Sequence, residues 1–457
     1  MLSHSLTATQ RAMLYHRLGG AEEGVDIEQI VCVLPEVVDA PRLEAAWGRV
    51  IARHDSLRGA LRWDGAEGPQ LVVADAVHVP LDVIDLADLA PEQREAEFAL
   101  ALADDRLIGF ELDQHPLLRL TLYRFGLADH RLVWSFPHVI VDGRSFGRVL
   151  SEVFAVYDAN GHGDHALLPD VPQFREFVAW LDARGGAAAD EAFWKRALSG
   201  VELPTPLAPL QPATGDDGWG DCELRLSAAD SDALRATATR LGVTMSTLVS
   251  GAFALALAGP RAREVVFGMA RGRRRGTIAD ADSVVGCFLT AVPVRARLPR
   301  GMAAGPWLQE MRAEYREATP HEHAALADIK RWAGLEAGRP AYEALLIFDT
   351  HSIGAEMRLR GGKWVDRWCV LMERTGVPIT LYAYAEARLQ LRLAYDRRRL
   401  GDTGATTFVS QVADLLVALA HDTATTLGDL VPAESTSRPT PAPFSAFPAT
   451  SSRMIGI

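Results

Sequence analysis

A mixed α/β fold in two lobes is what this sequence predicts, on three observations. Apolar residues recur at helical spacing in some segments and crowd into strand-like runs in others, along the whole chain. Residues 132–158 pass from a strand through a short polar turn into a helix. Near residue 180 the composition shifts to Ala, Gly and Pro, and the same helix-and-strand mixture then begins again.

A first helix is expected from Thr7 or Thr9 to Leu18, stopped by Gly19 and Gly20. A second follows Asp39, with Pro41 in its first turn, where a missing N–H costs nothing. Its Leu43, Trp47, Val50 and Ile51 fall on one helical face. Residues 132–140, rich in Val, Ile and aromatics, read as a buried strand, and from Ser145 the residues Phe146, Val149, Leu150, Val153 and Tyr157 return to helical spacing. Residues 185–189 and 203–220 read as linker and loop. The expected division is an N-terminal lobe over 1–180, a C-terminal lobe over 181–432 and a flexible Pro/Ser-rich tail over 433–457. In the second lobe, residues 265–270 and 288–298 read as strands and residues 377–384 with 389–395 as a hairpin. The longest apolar stretch, 243–258, is broken by Thr, Ser and Gly and reads as a buried helix, too short to cross a membrane.

Composition narrows the function. The 457 residues, 48 % hydrophobic and 23 % charged, exclude a disordered chain, a collagen and a disulfide-stapled miniprotein. A net charge of −12 argues against a nucleic-acid binder, which needs a cationic face to displace counterions. Cys32, Cys222, Cys287 and Cys369 are far apart and read as buried free thiols, with no zinc or dithiol spacing. The N-terminus has no basic segment followed by an apolar run, so a cytoplasmic protein without membrane attachment is expected.

The turn at 136–147 carries the chemistry. His138 and Asp142-Gly143 make an H-x-x-x-D-G pattern, which sets an imidazole, able to trade protons near neutral pH, beside a sharp turn. Gly143-Arg144-Ser145-Phe146-Gly147 also spells G-x-S-x-G, the nucleophile elbow of serine hydrolases, in a strand–turn–helix setting. The plainer role for Ser145 is a helix N-cap. His321-Glu322-His323 lacks the spacing of two metal ligands on one helical face and reads as a solvated turn, so no metal is expected. Arg271, Arg273, Arg274 and Arg275 form the densest basic cluster, either a solvated loop or a landing site for an acidic partner or a phosphate. Residues 364–368, with a tryptophan at each end, read as core packing or as a pocket wall.

Five segments in order resemble the condensation-domain family of nonribosomal peptide synthetases, within the chloramphenicol-acetyltransferase-like superfamily. Leu6-Thr7-Ala8-Thr9-Gln10 is similar to the opening S-x-A-Q, and residues 53–58, Arg-His-Asp-Ser-Leu-Arg, to R-H-E-x-L-R. Phe110-Glu111-Leu112 with Pro116-Leu117-Leu118-Arg119 resembles F-D-L … P-L-L-R. His138 and Asp142-Gly143 stand where the family has H-H-x-x-x-D-G, and residues 286–295 resemble G-x-F-x-N-T-L-P-L-R. The chain departs from the pattern at Pro137, in place of the first histidine, and at Thr290, in place of the asparagine.

The resemblance implies two similar chloramphenicol-acetyltransferase-like lobes forming a V-shaped cleft, and an acyltransferase. It would join an acyl thioester, presented on the phosphopantetheine arm of a carrier protein, to an amine or hydroxyl acceptor, with no bound cofactor. His138 would deprotonate or orient the acceptor. Asp142 would pair with an arginine of the other lobe, for which Arg295 matches best, and Gly143 would allow the turn and keep the channel clear. Ser145 and Thr290 would lie along that channel. The chain shows no adenylation or carrier segment, so a freestanding member is expected. The rivals are an acyl-CoA-dependent enzyme of the same fold, a non-catalytic docking domain and a serine hydrolase through Ser145.

Overall fold

The computed structural model describes residues 2–431, apart from 21, 67, 160–167, 206, 208–217, 260–261 and 337. The expected tail at 433–457 therefore lies outside the described residues, as does most of the loop expected at 203–220. The chain divides into two compact units, and the first is not one continuous stretch. It takes the residues up to Gly185 and adds Gly272–Thr290 and Ser352–Gly376 from later in the chain. The second holds Gly186–Arg271, Ala291–His351 and the described residues from Val377.

The first unit is built on a five-stranded sheet in the order Trp368–Met372, Ile27–Leu34, Asp129–Pro137, Arg119–Gly126, Leu81–Asp85. Its pairings are antiparallel except that between Leu81–Asp85 and Arg119–Gly126. Helix Ala8–Leu18 begins at a capping box between Thr7 and Gln10. Helix Ala40–Arg53 starts at the Asp39 cap with Pro41 in its first turn, and its Leu43, Trp47, Val50 and Ile51 are buried as one face. They share a core with Phe146, Val149, Leu150 and Val153 of helix Gly143–Asp158 and with Ile30, Trp134 and Phe136 of the sheet. Each such side chain contributes about 1.5–3 kcal/mol by leaving water, and Trp47 meets Trp134 edge-on with ring centres 5.1 Å apart. A small antiparallel sheet, Leu2–Ser5, Gln70–Val73 and Gly59–Arg62, completes the unit.

The second unit holds a six-stranded sheet in the order Leu289–Arg297, Glu264–Gly272, Ala344–Asp349, Ile379–Tyr384, Gln390–Asp396, Trp219–Arg225. The expected hairpin is present, with Ile379 opposite Tyr395. Met245–Ala258 is the buried helix expected at 243–258. Asp402–His421 has the length and apolarity of a membrane span, but Phe408, Val409, Val412, Leu416 and Leu419 are buried in this unit's core.

Two local expectations fail. The linker at 185–189 gives way to helix Ala187–Ala197, entered through Gly186 in the left-handed region at φ 91°. The strand expected to reach residue 140 stops at Pro137, and residues 138–140 form the turn.

Candidate active site

Residues 136–147 fold as strand, turn and helix, with His138 the first residue past the strand. Its backbone N–H donates to the carbonyl of Asp26 at 2.8 Å, and the N–H of Asp26 donates to the carbonyl of Arg374 at 3.1 Å. Asp26 does this in the left-handed region, at φ 59°, which aspartate tolerates better than most residues. The turn is tied from a third side by Gln10, wholly buried, whose Nε2 donates to the carbonyl of Val139 at 2.8 Å. The imidazole is half-buried, and its Nδ1 lies 2.9 Å from the carbonyl oxygen of Val141. A carbonyl only accepts, so Nδ1 carries the proton in that contact and Nε2 keeps its lone pair.

Contrary to the pairing expected from the family pattern, Asp142 does not meet Arg295. Its partner is Arg274, whose Nη2 donates to Oδ1 at 2.7 Å. Oδ1 also accepts from the Ser145 backbone N–H at 3.1 Å, which makes Asp142 the N-cap of helix Gly143–Asp158, and Oδ2 accepts from the Phe288 N–H at 2.9 Å. Arg274 is 2 % exposed, so it is no part of a docking surface. Its Nη1 donates to the carbonyls of Ala281 and Val284, and its guanidinium lies over the Phe288 ring at 4.1 Å. It sits in the 272–290 stretch, which packs with the first unit, so the pair lies within one unit. Gly286 is required here, because a Cβ would come within 2.2 Å of the Phe174 ring. Arg295 instead pairs with Glu264 at 2.7 Å and donates to the carbonyls of Ala197 and Ser199.

Ser145 is not the cap of the helix, and its hydroxyl is held in a buried network. It is wholly buried inside the first turn of the helix. Its hydroxyl lies 2.8 Å from Asp142 Oδ1 and 3.0 Å from the Gly286 carbonyl, and it accepts from Arg274 at 2.9 Å and from the Gly286 N–H at 3.1 Å. Ser145→Ala is expected to cost about 1–3 kcal/mol, since two buried donors lose their acceptor. A fluorophosphonate probe should leave the protein unlabelled. Chemical denaturation and intact mass after probe treatment measure the two outcomes. Burial and the Asp142 charge push the pKa of the Cys287 thiol beside this network well above the ordinary thiol range.

Gly143 needs no left-handed backbone, and a Cβ built on it would meet nothing within 4 Å. The turn itself therefore does not demand glycine, contrary to the expectation. Thr290 is half-buried near the start of strand Leu289–Arg297. The 53–58 segment is structural. His54 meets Glu152 at 2.7 Å, the Ser56 hydroxyl donates to the Val285 carbonyl, and Asp55 pairs with Arg58 and Arg175. Burial pushes the Glu152 carboxyl up, but His54, Arg53 and Arg148 together carry it below its ordinary value.

The remaining candidates separate. Arg271 pairs with Glu322, 5 % exposed, at 3.1 Å, and the His321 ring stacks on Phe193 with Nδ1 2.6 Å from Asp190. The His-Glu-His stretch is thus packed, not a solvated turn. Trp364 and Arg367 are core, with Arg367 lying over Phe154 and held by Asp158 and Glu36. Arg275 is exposed and lines a cavity of about 630 Å³ with Arg148, Gly276, Ile278, Asp280 and Asp282. Among the described residues, one trio of ligand-type side chains converges on the turn. One atom each of Glu28, His138 and Glu373 lie within 4.8 Å of one another, and both glutamates are buried. Sequence reasoning named His138 but neither Glu28 nor Glu373 beside it, gave Gln10 only its place in the opening segment, and read Arg274 as part of a surface cluster rather than as the partner of Asp142.

Comparison with known proteins fits this geometry. The family model for the condensation domain matches residues 3–438. The chain is 31 % identical over 432 residues to one component protein of the linear gramicidin synthase of Brevibacillus parabrevis, covering 93 % of this chain and 8 % of that protein. It is 30 % identical to a second component of the same synthase, over 90 % of this chain and 5 % of that protein. The chain thus spans a small part of the length of these curated relatives. Among solved structures, the condensation domain of the monacolin K polyketide synthase superposes with TM-score 0.78 at 17 % identity, over 93 % of this chain and 99 % of that one. The first condensation domain of the calcium-dependent antibiotic synthetase, bound to a substrate analogue, gives 0.77 at 18 %, over 94 % and 99 %. The fold is therefore the chloramphenicol-acetyltransferase-like fold of those domains. From a match that runs over nearly the whole length, this chain belongs to the condensation-domain family.

Proposed function

We propose that this chain transfers an acyl group from a thioester on the phosphopantetheine arm of a carrier protein to an amine or hydroxyl acceptor, in the cytoplasm and with no resident cofactor. Condensation domains form amide bonds, a group transfer. The observation that carries the reading is the His138 ring, fixed through Nδ1 and the turn's backbone so that Nε2 is left as a base. The acceptor N–H or O–H gives its proton to Nε2, the nucleophile attacks the thioester carbonyl, and the sulfur leaves with that proton. Asp142 takes no part in proton transfer. Its oxygens are engaged by Arg274, Ser145 and Phe288, which hold the turn.

The candidates for carrier recognition are the exposed Arg275, which lines the cavity, and the half-buried Arg273, whose Nε donates to the Arg275 carbonyl at 3.4 Å. A carrier's phosphate or acidic face is the partner that guanidinium geometry suits. Changing both to Ala is expected to raise KM for a loaded carrier roughly tenfold, the worth of two rim charges. Turnover of a short acyl-pantetheine mimic should be spared, because only binding shared by ground and transition states is lost. The carrier effect should fade as salt rises, since exposed charges are screened beyond about 10 Å at 0.1 M. Steady-state kinetics on both donors decide it. Equal losses on both would remove the docking role, and equal use of acyl-CoA and carrier by the unaltered protein would favour a CoA donor.

A further inference from the structure

We propose that Cys32 and Cys369 are a disulfide site, at which a peroxide oxidant closes a reversible cross-link that fastens the segment Ser352–Gly376 to the rest of the first unit.

Strand register makes the site. Trp368–Met372 is an edge strand of the five-stranded sheet and runs antiparallel to Ile27–Leu34, with Cys369 directly opposite Cys32. Directly opposed residues on such strands hold their Cα atoms about 4.5 or 5.5 Å apart, and a disulfide spans Cα atoms about 4.4–6.8 Å apart. Opposed side chains point to the same face of the sheet, and both cysteines lie in the core that holds Met357 and Trp364. Their Sγ atoms are 2.8 Å apart. Non-bonded carbons rest at about 3.5–4.0 Å, and sulfur is the larger atom, so the thiols crowd each other where a bond would draw them together. Cys222 has no thiol across its own strand pairing, since it stands opposite Leu393.

The fastening would act at a place where the chain changes units. Ser352–Gly376 packs with the first unit, although the residues before and after it belong to the second. Beyond the far end of the same strand pairing, the Arg374 carbonyl accepts from the Asp26 N–H and the Asp26 carbonyl accepts from the His138 N–H. A bond between Cys32 and Cys369 keeps in register the two strands that lead to this anchor of the His138 turn.

The chemistry balances with peroxide as the two-electron oxidant. One thiol attacks the O–O bond, giving a sulfenic acid and one water. The second thiol attacks that sulfur, forming the S–S bond and releasing a second water. The two sulfurs together lose two electrons, and the peroxide gains them. Cys32 is 1 % and Cys369 2 % exposed. Burial and the neighbouring Cys32 raise the Cys369 thiol well above its ordinary range, so the closed sheet reacts slowly and oxidation follows local opening of the edge strand.

The test uses the whole chain, treated with a small excess of hydrogen peroxide, quenched, alkylated under denaturing conditions and digested with pepsin. The expected map shows one cross-link, between the Cys32 and Cys369 peptides, with alkylation at Cys222 and Cys287. Dithiothreitol should return all four cysteines to alkylation. The two cysteines are 337 positions apart, and a longer closed loop restricts the unfolded chain more, so the oxidised protein should melt on the order of 5–10 °C above the reduced one. In Cys32→Ala and Cys369→Ala the oxidant should give no rise. Four alkylated cysteines, a sulfinic acid at Cys32 or Cys369 without a link, or a bond to Cys222 or Cys287 would overturn the proposal. A cross-link without a rise in Tm would overturn the fastening. The map and the melting shift are both read on the unaltered protein, so a variant that does not fold leaves the test intact.

Discussion

His138→Ala is expected to lower acyl transfer by roughly 10²–10⁴-fold, the usual worth of a positioned general base. The fold should survive, because the half-buried ring makes one hydrogen bond, to the Val141 carbonyl, and one distant ring contact, 6.0 Å from Phe146. The backbone bonds to Asp26 do not involve the side chain. Steady-state turnover with a loaded carrier, beside a melting curve, separates the two effects. Unchanged turnover would move the chain to the non-catalytic docking reading, and a collapsed melting curve would mean the ring is structural.

The second large effect belongs to Asp142 and Arg274. Asp142→Ala strands a guanidinium 1 % exposed and uncaps a helix, and is expected to cost about 3–5 kcal/mol. For a unit of this size that is a fall in Tm on the order of 10 °C. Arg274→Ala leaves Asp142 buried with the Ser145 and Phe288 N–H groups still donating to it, so it should cost less. In the double variant the second deletion removes the charge that the first left alone. The costs should therefore fall short of the sum by about 0.5–3 kcal/mol. Denaturation of all four proteins gives the cycle. Additive costs would contradict the contact, and Arg295→Ala, which only loses Glu264 and two carbonyls, should show no coupling to Asp142.

Much of the fold is legible in local pattern. Helix Ala40–Arg53 shows itself in its cap, its proline and one apolar face, and helix Gly143–Asp158 in the spacing of Phe146, Val149, Leu150 and Val153. The histidine and the aspartate are legible because five short segments occur in order. What stays hidden depends on contacts distant in the chain. Arg274 lies in a run of arginines that reads as surface, and only packing against Phe288 and Asp142 selects it from its exposed neighbour Arg275. The first unit takes in Gly272–Thr290 and Ser352–Gly376, which no composition shift near residue 180 reveals. Glu28 and Glu373 become neighbours only when two strands pair across most of the sequence. The role of Ser145 is hidden for a local reason. Asp142, three residues earlier, is as good a cap, and the helix begins one residue after it.

The most direct measurement is intact-mass analysis of an acyl-loaded carrier protein incubated with this chain and a panel of soluble amines and alcohols. The account predicts that the carrier loses the acyl mass only when an acceptor is present, that the matching amide or ester appears in the small-molecule fraction, and that His138→Ala abolishes both. A carrier that keeps its acyl group with every acceptor, or sheds it as free acid whether or not an acceptor is added, would contradict it.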